Sequence, residues 1–283
     1  MTVHGLKDTF LNRLSPELRA RIVALQEHPP LPAFPAGMRG VPNCCLRSAL
    51  FGMIQRGQRK ALNQEAIVTI RGLQIRYSGW QLDQADFEVL AHALYLVSAQ
   101  ASGKLVRFTA KGFLKGIGRS YGKSGREWLK ESLRRLTGST IDIQQETPGA
   151  IGAQTISYSG SLLEEFQHDE AEQSYFLKCN PAMARLFDAG WTQIPWQQHM
   201  QLKTDLAKWL HGFYASHRVP FPLKVATLRQ LCGSNCRRLS DYRGNLRNAL
   251  DELLENGFLT SWHIDKQDKV HIDKQPQKSS GLA

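Results

Sequence analysis

No uninterrupted apolar run in the 283 residues approaches the ~20 that a membrane-spanning helix needs, so none is expected. The opening stretch, MTVHGLKDTFLNRLSPELRARIVALQ, scatters charges through itself and holds no apolar segment of signal-peptide length. Cysteine is scarce and odd in number: five, at 44, 45, 179, 232 and 236. Without an export signal, that count predicts free thiols in a reducing cytoplasm. Cys232 and Cys236 are spaced C-x3-C with no second ligand pair nearby, and a structural zinc needs four ligands. Acidic residues also fall short. There are 25 against 36 basic ones, a formal net charge of +11. Such an excess favours polyanionic partners, nucleic acid first and an anionic membrane surface second. The 42% hydrophobic content is enough for cores of normal size, which excludes a disordered chain.

Catalytic patterns are missing as well. GIGRSYGKSG (116–125) resembles a phosphate-binding loop, but the motif needs glycine five positions before Gly122-Lys123-Ser124, and Ile117 stands there. The residues before it read as a helix where the motif needs a strand, so an inter-helix turn is expected. The nine histidines offer no metal pair. His263 and His271 recur eight residues apart on two expected strands, and His92 sits on a mostly apolar helix as a core histidine. No nucleophile elbow, dinucleotide fingerprint or kinase set occurs. The chain reads as a binder with no cofactor or metal, not as an enzyme.

What is present is one layout, written twice. LDQADFEVLAHALYLVSAQ (82–100) is helical, with Phe87, Leu90, Leu94 and Val97 on one side. LVRFT (105–109) follows as a strand and AKGFLKGIG (110–118) as a short helix. SGREWLKESLRRL (124–136) is a basic helix opened by a capping box of Ser124 and Glu127. STIDIQQ and AQTISYS are strands around a Thr147-Pro148-Gly149 turn. About 115 residues later the order repeats. LKTDLAKWLHGFYASHR carries a stripe of Leu202, Leu206, Trp209, Leu210 and Phe213, and VPFPLKV offers a very short strand. ATLRQLCG is a two-turn helix with Gly233 as a left-handed cap, a basic helix follows, and GFLTSWHID and DKVHIDK form a hairpin. The layout predicts an α+β chain of tandem winged helix-turn-helix domains, in which the third helix enters a major groove and the hairpin flanks it.

On a helical wheel Leu239, Tyr242, Leu246, Leu250 and Leu253 share one side of the second basic helix. Arg237, Gly244, Arg247 and Asn248 share the other, with Arg238 and Arg243 on the flanks. Guanidinium groups there can take phosphates or guanine edges. A merely solvated charged face is the alternative, weakened because Asp241 and Asp251 only partly offset the arginines. Gly244, costly in a helix interior by up to ~1 kcal/mol, fits a close nucleic-acid backbone or a packing need. Lys266 and Lys269 fall at the hairpin turn, where an ammonium meets phosphate. In the first basic helix Leu129, Leu133 and Leu136 face the core, while Lys123, Lys130, Arg134 and Arg135 point away as contact residues. Trp128 packs under the hairpin or sits at a protein interface.

Three segments carry a resemblance. VPNCCLRSALFGM (41–53), AIVTIRGLQIRYSGWQLDQADFEVL (66–90) and SHRVPFPLKVATLRQLCGSN (216–235) are similar to the TrfA-type plasmid replication initiators, over roughly Pro42 to Lys274. The resemblance implies two winged-helix domains that bind repeated sites (iterons) in double-stranded origin DNA. It implies opening of an adjacent AT-rich region, recruitment of the host initiator DnaA and the helicase DnaB, and exchange between a homodimer and a DNA-binding monomer. It places the C-terminal recognition helix on residues 236–255. Family members can carry a Q-L-S-L-F-like peptide for the polymerase sliding clamp; residues 1–40 contain none, which leaves clamp binding without a residue to carry it. The expected division is an extension with a proline-rich linker (1–41, the linker over 28–42), domains at 42–197 and 198–274, and a tail at 275–283. A transcriptional repressor with the same folds, binding an operator without initiating replication, remains the alternative.

Overall fold

The computed structural model describes residues 31–55, 57–100, 105–149, 152–169 and 174–276. The clamp-peptide region, most of the extension and nearly all of the tail therefore lie outside the described residues. Helices and strands mix throughout, around two apolar clusters. One gathers side chains from Val41 to Trp196, the other from Leu202 to Val270.

The C-terminal cluster follows the expected order closely. Its leading helix, Asp205–Ala215, starts where Thr204 Oγ1 accepts from Ala207 N at 3.2 Å. A short strand, Leu223–Lys224, feeds a two-turn helix, Val225–Leu231. Gly233, at φ +65°, turns the chain out of that helix in the left-handed region. The second basic helix, Leu239–Glu255, buries Tyr242, Leu246, Ala249, Leu250 and Leu253. Strands Leu259–Ile264 and Lys269–Lys274 form the hairpin, and Leu223–Lys224 pairs with its second strand. His263 and His271 sit directly opposite and stack at 4.5 Å.

The N-terminal cluster has the same order but a different sheet. Its elements are a leading helix Gln84–Ser98, strand Val106–Thr109, short helix Ala110–Gly116 and the first basic helix Lys123–Thr137. Strands Thr140–Gly149 and Gly152–Gly160 follow. Here the small strand pairs with Ser174–Lys178, which belongs to an added hairpin with Glu165–Asp169. Strands Ala61–Ile67 and Leu73–Trp80 extend the main hairpin to four strands.

Three local expectations are corrected. Residues assigned to the 28–42 linker and the extension, Met38–Pro42, form a strand paired with Trp191–Pro195, with Arg39 buried behind it. Strand pairing continues through Thr147, Pro148 and Gly149 to Gly152, so these three residues lie in the strands and are not the turn. The first basic helix enters at Gly122 without a side-chain cap, because Ser124 already lies within its first turn. The capping box is on the leading helix instead. Asp86 N donates to Asp83 Oδ1 at 3.0 Å, and Asp83 N donates to Asp86 Oδ2 at 3.2 Å.

Between the clusters runs a short helix, Trp196–Gln201, whose His199 is wholly buried with His211. Their Nδ1 atoms are 3.1 Å apart, so one ring donates and the other must accept as a neutral imidazole. Burial holds His199 well below the ordinary imidazole range and lowers His211 to about 3. His92, its Nδ1 3.2 Å from an Arg39 nitrogen, is lowered to about 4, again chiefly by burial. The unfolded chain takes up protons on these rings near pH 6.5, and the folded chain does not. Stability should therefore be level above about pH 7 and fall as the pH drops through 6.5. The slope approaches ~1.4 kcal/mol per pH unit for each such histidine. Denaturant unfolding at pH 7 and pH 5 measures this, and His211→Gln should reduce the difference.

Candidate nucleic-acid interface

On the second basic helix Arg247 and Asn248 are exposed, opposite the buried leucines. Apart from its chain neighbours and its own helix backbone, no described protein atom lies within 4 Å of the position a Cβ on Gly244 would take. A packing need therefore does not account for this glycine. Asn245, three residues before Asn248, is also exposed on this helix and was not among the expected contact residues. Arg237 and Arg238 are exposed but stand ahead of the helix, Arg238 being its extended N-cap residue. They flank the helix entrance and do not lie on its face. The helix starts three residues later than the 236–255 span because 233–238 is needed to reverse direction.

Arg243, on the flank of the helix, is paired within the protein. It is half-buried and donates from Nε and Nη2 to the two carboxylate oxygens of Asp268, at 3.0 and 2.9 Å. Asp268, at φ +61° in the hairpin turn, thereby fastens the hairpin to the helix. This pairing spans 25 residues and leaves no local signal in the chain. One consequence is positional: Lys266, exposed in the same turn, is held beside the basic helix, with Lys269 half-exposed at the start of the last strand. Asp265 organises the rest of the turn. It accepts from Gln267 N at 2.8 Å, Lys269 N at 2.9 Å and His271 Nε2 at 2.9 Å, and its carboxyl is lowered to about 2, the His271 bond contributing most.

On the first basic helix Lys123 and Arg134 are exposed. Lys130 is mostly covered, with Glu127 3.5 Å away. Arg135 does not point away as expected. It turns inward onto Asp86, a carboxylate with 0% side-chain exposure, donating from Nη2 at 2.8 Å and from Nε at 3.2 Å. Arg59 Nη1 donates to the same carboxylate at 2.8 Å, and Ser132 Oγ at 2.6 Å. Three donors around one buried charge make a structural joint. Trp128 packs against the N-terminal cluster with the Arg119 guanidinium 3.7 Å above its ring, so it is not part of an open face. Arg134 lines an open cleft with Trp80, Arg59 and Glu131. Residues 117–122 join two helices, in keeping with an inter-helix turn, while Lys123 and Ser124 already belong to the second helix.

Among the described residues no group of three or more His, Cys, Asp or Glu could hold a metal ion, and no helix is long and apolar enough to cross a membrane. Cys232 and Cys236 are free; Cys232 Sγ contacts the Tyr242 hydroxyl at 3.5 Å, and burial raises its thiol to about 11.

The chain is thus a basic, mixed α/β protein of two like-ordered units, each presenting a cationic helix braced by a carboxylate. The sequence pattern of the TrfA protein family matches residues 20–274, and the chain belongs to that family. The plasmid replication initiator protein TrfA of Escherichia coli is 26% identical over 248 residues, a match that covers 85% of this chain and 63% of that protein's length. Among solved structures, domains 2 and 3 of RctB align with a TM-score of 0.56 at 13% identity, over 83% of this chain and 98% of theirs. A second crystal structure of the same domains gives 0.52 at 13% identity, over 79% and 95%. Likeness at that identity concerns the fold.

The two neighbouring arginines give a direct test. Arg135→Ala should lower stability by ~3 kcal/mol or more by stripping a partner from buried Asp86. Arg134→Ala should stay within about 0.5 kcal/mol of the parent. Urea unfolding of both variants measures the contrast, and equal losses would contradict the assignment.

Proposed function

We propose that the chain is a plasmid replication initiator whose two units are winged helix-turn-helix modules. In this reading they bind directly repeated duplex sites (iterons), promote opening of adjacent AT-rich DNA and help bring in the host DnaA and DnaB proteins. Family membership and the name of the Escherichia coli relative support the initiator role. The observation that carries the binding mode is the repeated order of helix, strand, short helix, cationic helix and hairpin, with Arg247 and Asn248 outward and the leucines inward. The modules act by binding and need no nucleotide, metal or cofactor, in a bacterial cytoplasm, and a homodimer is the resting alternative to the DNA-bound monomer.

Roles divide by reach. Arg247 and Asn248 project from the helix and can meet base edges, a good bidentate contact giving about 1–3 kcal/mol of discrimination. Lys266 sits on the hairpin turn and meets phosphate, which holds any sequence. Lys123 and Arg134 do the same for the first unit. Arg237 and Arg238 lie at the N-terminal end of the second basic helix, where the helix dipole adds to the attraction for phosphate.

Footprinting and competition titration on repeated against scrambled duplexes test this. Arg247→Ala should relax preference for the repeat. Lys266→Ala should weaken both duplexes alike and reduce the salt slope by roughly one unit. Affinity that does not fall with salt between roughly 50 and 200 mM would oppose the proposal. Gly244 supplies an independent check. Gly244→Ala should raise stability by up to ~1 kcal/mol, since nothing crowds the site and the helix gains. If a DNA backbone approaches there, the same variant should bind the repeat more weakly. Tighter or unchanged binding would place the DNA elsewhere.

A further inference from the structure

We propose that the seam between the two units is a register device. The buried Glu88–Lys208 ion pair and the contacts around it lock the two basic helices at one separation, so the protein accepts only duplex sites whose two contacted halves lie a fixed number of base pairs apart. This rests on the duplex-binding reading above.

The two apolar clusters are separate, ending at Trp196 and resuming at Leu202. Units joined by a short connection move relative to each other by default. Here they are tied at several points instead. The two leading helices face each other, and Lys208 donates to Glu88, with side-chain exposures of 15% and 3%. Glu88 cannot lose this partner without remaining buried and unpaired. On one flank Arg47 Nε donates to Ser216 Oγ at 3.0 Å and the same guanidinium reaches the Ser216 carbonyl. Trp209 Nε1 donates to the Ser48 carbonyl at 3.3 Å. Gly212 lies so near Leu46 that a Cβ there would come within 2.9 Å of its Cδ2.

Two further ties bracket the second basic helix itself. Before it, Met53 N donates to the Cys232 carbonyl at 2.8 Å. After it, Asn256 and Gln198 exchange side-chain-to-carbonyl hydrogen bonds at 3.2 Å each. The helix that carries Arg247 is therefore held at both ends to the first unit or to the short helix leaving it. Its counterpart, the first basic helix, is held to the leading helix by Asp86, two residues from Glu88. A rigid path runs from one basic helix to the other through the ion pair.

One inserted base pair shifts the far half-site by ~3.4 Å and turns it by ~35°. A stiff two-headed binder cannot follow, and the gain from engaging both halves at once, ~10²–10⁴ in affinity, is lost. The test titrates the full chain against its footprinted repeat, the same repeat with one base pair inserted between the two contacted halves, and scrambled duplex. The parent protein should lose ~100-fold or more on insertion. The double variant Glu88→Gln with Lys208→Met should lose under ~10-fold, because its units can re-space. Arg47→Met, a milder lesion on the seam's flank, should move the same way and decides the matter if the double variant does not fold by circular dichroism. Folded variants that keep the parent's full penalty would overturn the register role while leaving duplex binding intact. So would a parent protein that tolerates the insertion. A parent with no preference for the repeat over scrambled DNA would instead remove the functional reading underneath.

Discussion

Asp86 is the residue on which the N-terminal unit turns. It caps its own helix in a reciprocal box with Asp83, and it accepts from Arg59, Ser132 and Arg135. Those donors come from the segment that enters the four-stranded sheet and from the first basic helix. A carboxylate taken wholly out of water costs several kcal/mol unless its lone pairs are filled. Filling them from separate elements fixes those elements relative to one another. Arg59 also pairs with Asp83, whose carboxyl burial and the neighbouring Asp86 charge push up. Four charges thus share one joint, and the basic helix has a single seating on the leading helix.

The C-terminal unit meets the same requirement with a cheaper device. Its basic helix rests on Tyr242, Leu246, Leu250 and Leu253, and it is linked to the hairpin by Trp262 Nε1, which donates to Asp251 at 3.0 Å, and by the half-exposed Arg243–Asp268 pair. Such a pair contributes little to stability in water. Its two-pronged geometry still orients the hairpin. The two copies therefore share an order of elements and differ in what holds them. The difference follows the sheets. In the first copy the hairpin is continued by Ala61–Ile67 and Leu73–Trp80, so its orientation is fixed by strand pairing. In the second the hairpin has only Leu223–Lys224 beside it, and side-chain bonds from Arg243 and Trp262 tie it to the helix.

Much of this was legible in the chain. The leucine stripes, the short helices, Gly233 as a left-handed cap and the hairpin that carries His263 and His271 follow from periodicity and turn chemistry. The pairings that reach across the chain were not. Met38–Pro42 becomes a strand only because Trp191–Pro195, some 150 residues away, offers an edge, and nothing in the local sequence announces a distant partner. The capping box was sought as Ser-x-x-Glu and occurs as Asp-x-x-Asp, which has equivalent donors and acceptors.

Arginine shows why site residues are harder to read than folds. A wheel sorts residues by angle on their own helix, and by angle Arg134 and Arg135 look alike. One reaches solvent and the other a buried carboxylate, because Asp86 stands on a neighbouring helix within the length of an arginine side chain. Arg243 and Arg247 divide in the same manner, one claimed by Asp268 and the other left outward. The formal charge of +11 thus overstates what a polyanion meets on these helices and understates how sharply it is placed. Arginines sequestered by carboxylates hold the scaffold still, and that stillness lets the few outward ones, with Asn248 and Lys266, present a fixed pattern. A basic helix without such internal pairs would attract any polyanion; one braced by them can discriminate.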